Sequence, residues 1–412
     1  MRGLLPLLAL LAPNFSTALS IDDYGASAGS SGLEVAQANS QAIVDAFQVR
    51  PTRCREDEPP LPPPRIVQIP MRPLYPAPPM PPPSRIALAQ YNWWVATAKN
   101  ERAHNFRPNI FEMLRLEDTL IENITTVDSP RFNFHMEDML NLEIRHVDIV
   151  TDVTKQTAIA QEHHETSLEK FGRALWDFDL NIPMFPFNTD GFDPAGKNIW
   201  IHDCTIENYD DAVAVKPSSS KDGVLRTCSE DVLVENIKVK YGVGMSIGSV
   251  TPNNDNCVNN VTFSNIDFKD PFKAIYIKTN PMDEDKPGTA SITNIVYENI
   301  NIESPIWWAV YIGPQQMKEP DGAGGGCMTY PFGEDCPAEP AVTIQNVTLK
   351  HVEITGGVTF GVVRCSDENP CTGFEFKDVK YTSWASRAEG WTCENVYGEE
   401  KNVQPENCLK SE

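Results

Sequence analysis

Eight segments of this chain share one pattern: apolar, any, apolar, any, Asn/His/Asp, usually Val/Ile, any, apolar. Clear copies are LEIRHVDI from Leu142, VLVENIKV from Val232, VTFSNIDF from Val261, IVYENINI from Ile295, VTLKHVEI from Val347 and FEFKDVKY from Phe374; looser copies start at Thr119 and Ile199. Alternation breaks at the polar residue and then resumes, so each copy reads as two short strands meeting at a bend. The starts are separated by 23, 57, 33, 29, 34, 52 and 27 residues. A period of about 28 explains the series if the two long gaps each conceal one unreadable turn.

Repeats of this length, rich in β-branched residues, cannot bury their apolar face alone and stack into a solenoid of parallel strands. The expected fold is all-β, a single-stranded right-handed parallel β-helix. A β-propeller would need longer blades, each of four strands separated by tight turns. Between the copies lies a third strand: DDAVAVK (210–216), GVGMSIGS (242–249), KAIYIKT (273–279) and WWAVYIG (307–313). These recur at one phase of the turn, so their side chains stack into a single face and form an extended groove suited to a polymer.

The 412 residues carry 34 Lys+Arg against 57 Asp+Glu, a net charge of −23 that argues against nucleic acid as a partner. Residues 1–20 read as an export signal, with Arg2, an apolar run from Leu4 to Leu11 and small residues around Ala18 and Ser20. Residues 21–50 are expected to start the β-helix domain, 51–85 to form a proline-rich insert or linker, and 86–412 to form the rest of the β-helix. Of the 34 prolines, 14 fall between Pro51 and Pro83, a density that no helix or sheet survives. No later run reaches the roughly 18 apolar residues of a membrane helix. The expectation is a secreted, monomeric protein with no membrane partner.

Ten cysteines in an exported chain are expected to be disulfides rather than thiols. Proximity suggests three pairs: Cys327 with Cys336, Cys365 with Cys371, and Cys393 with Cys408. Glycosylation sequons stand at Asn123, Asn260 and Asn346. The segment from Ala158 to Trp176 has helical composition and reads as a solvated insertion; its His163, His164 and Glu165 lack the spacing of a helical zinc motif.

Four carboxylates fall within 22 residues: Asp190 and Asp193 in NTDGFD, then the adjacent Asp210 and Asp211. The 20 positions between Asp190 and Asp210 are about one short solenoid turn, so the two should face each other across adjacent turns. Like charges held that close raise at least one pKa and yield one protonated and one ionised carboxylate, the requirement of a glycosidase. A cluster holding Ca²⁺ is the alternative, and Asp193 reads as a solvated or turn-bonding acid.

NTDGFD from Asn188, DDAVAVK from Asp210, GVGMSIGS from Gly242 and YIK from Tyr276 resemble the four ordered signatures of the polygalacturonase family of glycoside hydrolases, family 28. The resemblance runs from about Arg107-Pro108 to the C-terminal cysteines. It implies the pectin lyase-like β-helix and an inverting hydrolase of pectic polysaccharide that uses no cofactor and no metal. Asp210 would protonate the glycosidic oxygen, Asp190 and Asp211 would position and deprotonate the attacking water, and Lys278 would bind a sugar carboxylate. Asn188 and Tyr276 join Lys278 as expected substrate-binding residues. Carboxyl groups roughly 6.5–9.5 Å apart are expected, with room for the water.

Two departures accompany these matches. Val243 stands where the family usually has a histidine, and Tyr276 where it has an arginine; an aromatic ring cannot replace bidentate carboxylate recognition. Three readings fit: a rhamnogalacturonan or substituted-galacturonan hydrolase, a weak polygalacturonase, or a carbohydrate binder that has lost catalysis. Retention of all three aspartates speaks against the last. A calcium-dependent pectate lyase is the nearest enzyme rival. The expectation for Tyr276 is a ring that stacks on a less acidic sugar beside the leaving oxygen.

Overall fold

The computed structural model describes residues 84–87, 107–152, 188–218, 226–253, 256–316 (apart from 284 and 286), 336–357, 360–382, 390–406 and 408–411. All lie in the second of two compact units, Pro82–Glu412. The signal segment, the proline tract up to Pro83, the helical insertion and Cys327 fall outside the described residues.

The strands run β1 (Ser84–Ala87), β2 (Phe111–Leu114), β3 (Glu117–Val127), β4 (Phe134–Val150), β5 (Phe192–Asn208), β6 (Val213–Val215), β7 (Ser229–Tyr241), β8 (Met245–Val250) and β9 (Asn256–Lys269). They continue with β10 (Ile275–Thr279), β11 (Ala290–Glu303), β12 (Val310–Gln315), β13 (Val342–Thr355), β14 (Gly361–Arg364), β15 (Cys371–Thr382), β16 (Trp391–Glu394) and β17 (Val396–Gln404). Every ladder between them is parallel, and from β5 onward each strand pairs with the one two places later, as in β7–β9–β11–β13 and β6–β8–β10–β12. That is the pattern of a coil, one long and one short strand per turn, and the fold is a right-handed parallel β-helix. Among the described residues there is no helix.

The long strands show why the sequence repeats as it does. The polar residue at the fifth position of all eight copies, Asn123, His146, Asp203, Asn236, Asn265, Asn299, His351 and Asp378, has positive φ between 51° and 56°. Asn and Asp tolerate that left-handed backbone better than other non-glycine residues, so the strand turns a corner there without glycine. A second corner stands five residues earlier, at Asn141, Asn198, Asp231, Asn260, Asn294 and Asn346. Stacked corners bond to one another: Asn265 Nδ2 donates to Asn236 Oδ1 at 3.3 Å, and Asn299 Nδ2 to Asn265 Oδ1 at 3.2 Å. Inside, apolar positions stack in columns such as Ile144, Ile201, Val234, Phe263, Tyr297, Leu349 and Phe376, all fully buried.

The period differs from expectation at the two long gaps. Leu142 pairs directly with Ile199, and Ile295 with Val347. No turn is concealed; each long gap is a single turn whose connection is lengthened, and the solenoid register absorbs the extra residues outside its strands. The cysteines also differ. Cys365–Cys371 and Cys393–Cys408 are bonded as expected, Cys336 is disulfide-bonded, Cys228 pairs with Cys257 one turn away, and Cys204 is a buried free thiol. Cys204 occupies an inward apolar position of β5, 3% exposed, where a thiol packs as a small hydrophobe.

Candidate active site

Asp190 ends the segment leading into β5, and Asp210 and Asp211 end the segment leading into β6. Gly191 N donates to Asp211 O at 2.9 Å and Phe192 N to Ala212 O at 3.0 Å, so these two segments lie side by side on adjacent turns. A side chain at Gly191 would collide with the Ala212 carbonyl, which explains the glycine of NTDG. One carboxylate oxygen from each of Asp190, Asp210 and Asp211 falls within 4.8 Å of the others.

Polar residues behind the trio fix it. Asn208 Nδ2 is shared among the carbonyls of Thr189, Asp210 and Asp211 at 2.8–3.1 Å, and Tyr209 N donates to Thr189 Oγ1 at 3.0 Å. Asn133 Nδ2 holds the Asp190 carbonyl at 2.9 Å. Asn188, expected to touch substrate, donates its backbone N–H to Asp210 Oδ2 at 2.8 Å, and its side-chain carbonyl accepts from Arg107 at 2.7 Å.

Each carboxylate has a different environment. Asp211, 1% exposed, accepts from Ser246 Oγ and from Lys278 Nζ, both at 2.6 Å. Asp210 is partly exposed; besides Asn188 it accepts the Asp211 N–H at 2.9 Å. Asp190, 3% exposed, has no partner on Oδ1, while Oδ2 lies 4.0 Å from Lys216 Nζ. Burial first, then the charges of Asp193 and Asp210, push the Asp190 carboxyl well above the usual aspartate range. Asp210 is also raised, by removal from water and then by Asp211. Burial pulls Lys278 down, but Asp211 and Asp210 outweigh it and hold the ammonium raised; Lys216 is raised against its own burial by Asp193, Asp190 and Asp211.

Asp190 and Asp210 therefore keep their protons to higher pH than ordinary aspartates, as an acid catalyst must. The nearest oxygens of the trio lie within 4.8 Å, where 6.5–9.5 Å was the expectation between whole carboxyl groups; three carboxylates share the site and two are sequence neighbours. One water that makes two hydrogen bonds of roughly 2.8 Å spans about 4.6 Å between its acceptors, a separation inside the 4.8 Å limit of the trio. Two lysines already supply the positive charge that a cation would bring, which favours the hydrolytic reading of the cluster over the Ca²⁺ one.

Three groups of this centre were not legible as functional. Lys216, at the end of DDAVAVK, pairs with Asp193 Oδ2 at 2.6 Å; Asp193, expected to be solvated or turn-bonding, has a fully buried side chain. Ser246 follows the Val243 motif, and its place between Ala214 and Tyr276 in the short-strand column was the signal available. Arg107 braces Asn188 from 81 residues away, beyond any local pattern. Tyr276, expected to stack on a sugar, is buried. It is 2% exposed, in a cluster with Trp308, Tyr311, Cys336 and Val362 against which Val243 and Trp307 pack.

Residues 87–404 match the sequence pattern of glycosyl hydrolases family 28. The chain belongs to this family. Among curated relatives, a probable rhamnogalacturonase B of Aspergillus oryzae is 24% identical over 71% of this chain and 43% of its own length. A probable endopolygalacturonase D of Aspergillus flavus is 32% identical over 47% of this chain and 34% of its own length. The chain thus spans less than half the length of these two curated relatives. An endo-xylogalacturonan hydrolase from Aspergillus tubingensis superposes with a TM-score of 0.57 at 18% identity, covering 77% of this chain and 73% of that one, and shares the fold.

Proposed function

We propose that the protein is a secreted glycoside hydrolase that cleaves α-glycosidic bonds of a galacturonan-type pectic polysaccharide with inversion. The observation that carries this is the trio itself: three aspartates on adjacent turns, within 4.8 Å, two of them with raised pKa, at the floor of the short-strand face. Asp210, the partly exposed member, protonates the leaving oxygen. Asp190 and Asp211 bind and deprotonate the water. Both are buried, and both oxygens of Asp211 already accept hydrogen bonds, so water rather than a carboxylate reaches the anomeric carbon. Lys278 holds Asp211 and lies near a sugar carboxylate bound at the trio. Export is supported by disulfides, which persist in oxidising compartments, and by the leader-like residues 1–20. The protein acts as a monomer, without cofactor.

The test is reducing-end release from pectic polymers by wild type and Asp210→Asn. The amide cannot donate the proton, so turnover is lost while the fold is kept; Asp190→Asn and Asp211→Asn lose most activity. Near-normal turnover by Asp210→Asn would make the assigned roles wrong. The anomer formed first, read by NMR, checks inversion, and absorbing, chelator-sensitive products would instead identify a lyase.

A further inference from the structure

Segments beside the trio stack on four successive turns: Ile110 N donates to Phe132 O at 3.0 Å, Asn133 N to Asp190 O at 2.9 Å and Gly191 N to Asp211 O at 2.9 Å. Arg107 precedes the first of these segments, and its side chain crosses the stack. Nη1 donates to Pro130 O at 3.0 Å on the second turn, and Nη2 to Asn188 Oδ1 at 2.7 Å on the third. Asn188 in turn donates its backbone N–H to Asp210 Oδ2 at 2.8 Å on the fourth. Arg107 is 4% exposed, so its guanidinium has left water for such partners. The planar fork of arginine serves two acceptors at once; a flexible ammonium does not.

We propose that Arg107 is a positioning residue for catalysis: by clamping the Asn188 side chain it aims the Asn188 N–H at Asp210, and so holds that acid in the orientation that delivers its proton to the leaving oxygen. The inference rests on the functional reading above and adds to it a residue that acts on Asp210 through another. Asn188 stands four residues ahead of β5, outside the strands, with φ 58°, so strand pairing does not set the direction of its peptide. Asp210 depends on that peptide. Its Oδ1 is held by the N–H of its own neighbour Asp211 at 2.9 Å; among the described residues, the hydrogen bond from Asn188 is the one that reaches it from another turn. A carboxyl held by both oxygens is fixed in rotation, which is how a catalytic proton is kept within reach of its acceptor. The charged groups that face Asp210 are Asp190, Asp211 and Lys278. Both N–H bonds favour the ionised carboxylate and oppose burial, which raises it. Loosening the Asn188 bond therefore lifts the Asp210 pKa further.

The test is a cycle of Arg107→Met, Asn188→Gly and the double variant, with kcat measured across pH at a temperature where all are folded. Glycine adopts positive φ freely, so Asn188→Gly removes the side chain that Arg107 holds and keeps the backbone conformation accessible. Each single variant should lose roughly three- to tenfold in kcat, the loss of about one hydrogen bond, with KM changed less. Because Asp210 acts in its protonated form, the alkaline limb of the kcat profile should move up by roughly 0.5–1 pH unit. The double variant should be no worse than the poorer single one. Additive losses, or an alkaline limb that stays at its wild-type position in the folded variants, would overturn the proposal and leave Arg107 a structural brace only. NMR of the labelled Asp210 carboxyl carbon, assigned with Asp210→Asn, reads the same shift without turnover. Should no polymer be cleaved, the hydrolase reading fails and this titration decides the clamp: a raised Asp210 pKa in Arg107→Met supports it, and an unchanged one overturns it. If Arg107→Met does not fold, Asn188→Gly carries the same two readouts.

Discussion

Lys278 Nζ and Asp211 Oδ2 lie 2.6 Å apart, with only 4% and 2% of their side chains exposed. A pair so buried is worth little in net terms, but removing one partner strands the other charge, at a cost of about 3–5 kcal/mol. Lys278→Met is therefore expected to lower unfolding free energy by that amount, and Lys278→Met with Asp211→Asn to recover most of it. Denaturant titration of both variants checks this. If the double variant is no more stable than the single one, the pair does not act as a unit.

Asp190 gives a prediction of opposite sign. Its carboxyl is raised by burial and then by neighbouring acids, so the folded protein binds its proton more tightly than the unfolded chain. Stability from this group is greatest below the unfolded pKa of about 3.9 and falls as pH rises through the window up to the raised folded value. Asp190→Asn removes the charge that burial opposes. The variant should be inactive yet more stable than wild type at pH 7, by on the order of 1 kcal/mol. The advantage should vanish below about pH 3.9, where wild type is protonated in both states. Thermal melts across pH read both effects; a variant less stable at pH 7 would mean that the 4.0 Å approach of Lys216 outweighs the burial.

The fold was legible because its corners are written in single residues: only a few residue types tolerate positive φ, and they recur once per turn, at Asn236, Asn265 and Asn299 among others. The length of the turns at 142–199 and 295–347 was not, since connections lengthen without disturbing strand pairing and carry no periodic signal. The trio was legible because its members lie within 22 positions. The burial of Asp193 and its pairing with Lys216 were not legible because burial is a tertiary property: an aspartate and a lysine 23 residues apart carry no sign of contact until stacking brings them to 2.6 Å. The burial of Tyr276 was not legible for the same reason. Its cover comes from Trp308, Tyr311, Cys336 and Val362, on later turns.

Cys228 and Cys257 link neighbouring turns across 29 residues, close to where β7 and β9 begin. Closing a loop of that length removes about 3–4 kcal/mol of unfolded-chain entropy. Replacing both cysteines by serine should lower stability by up to this amount with little change in kcat, since neither touches the trio. Denaturant midpoints and steady-state rates measure the two separately. Loss of turnover in a folded variant would show that the clamp orders the groove instead.

Restoring the family residues at the two departures tests what replaced them. From sequence, Val243→His with Tyr276→Arg should shift preference toward polygalacturonate. The structure predicts otherwise. Position 276 is 2% exposed, and the Tyr276 ring carries Lys273 Nζ 4.0 Å and Lys278 Nζ 4.8 Å from its centroid. An arginine there would exchange two cation–π contacts for a third positive charge inside an aromatic cluster, and like charges at that range destabilise in a low-dielectric setting. The double variant should lose several kcal/mol of stability by analogy with unpaired buried charges, without gaining activity on polygalacturonate. Tyr276→Phe, which keeps the ring, should retain wild-type substrate preference. A stable double variant that turns over polygalacturonate faster than wild type would show that the cluster opens to substrate, and that the loss of the arginine alone sets specificity.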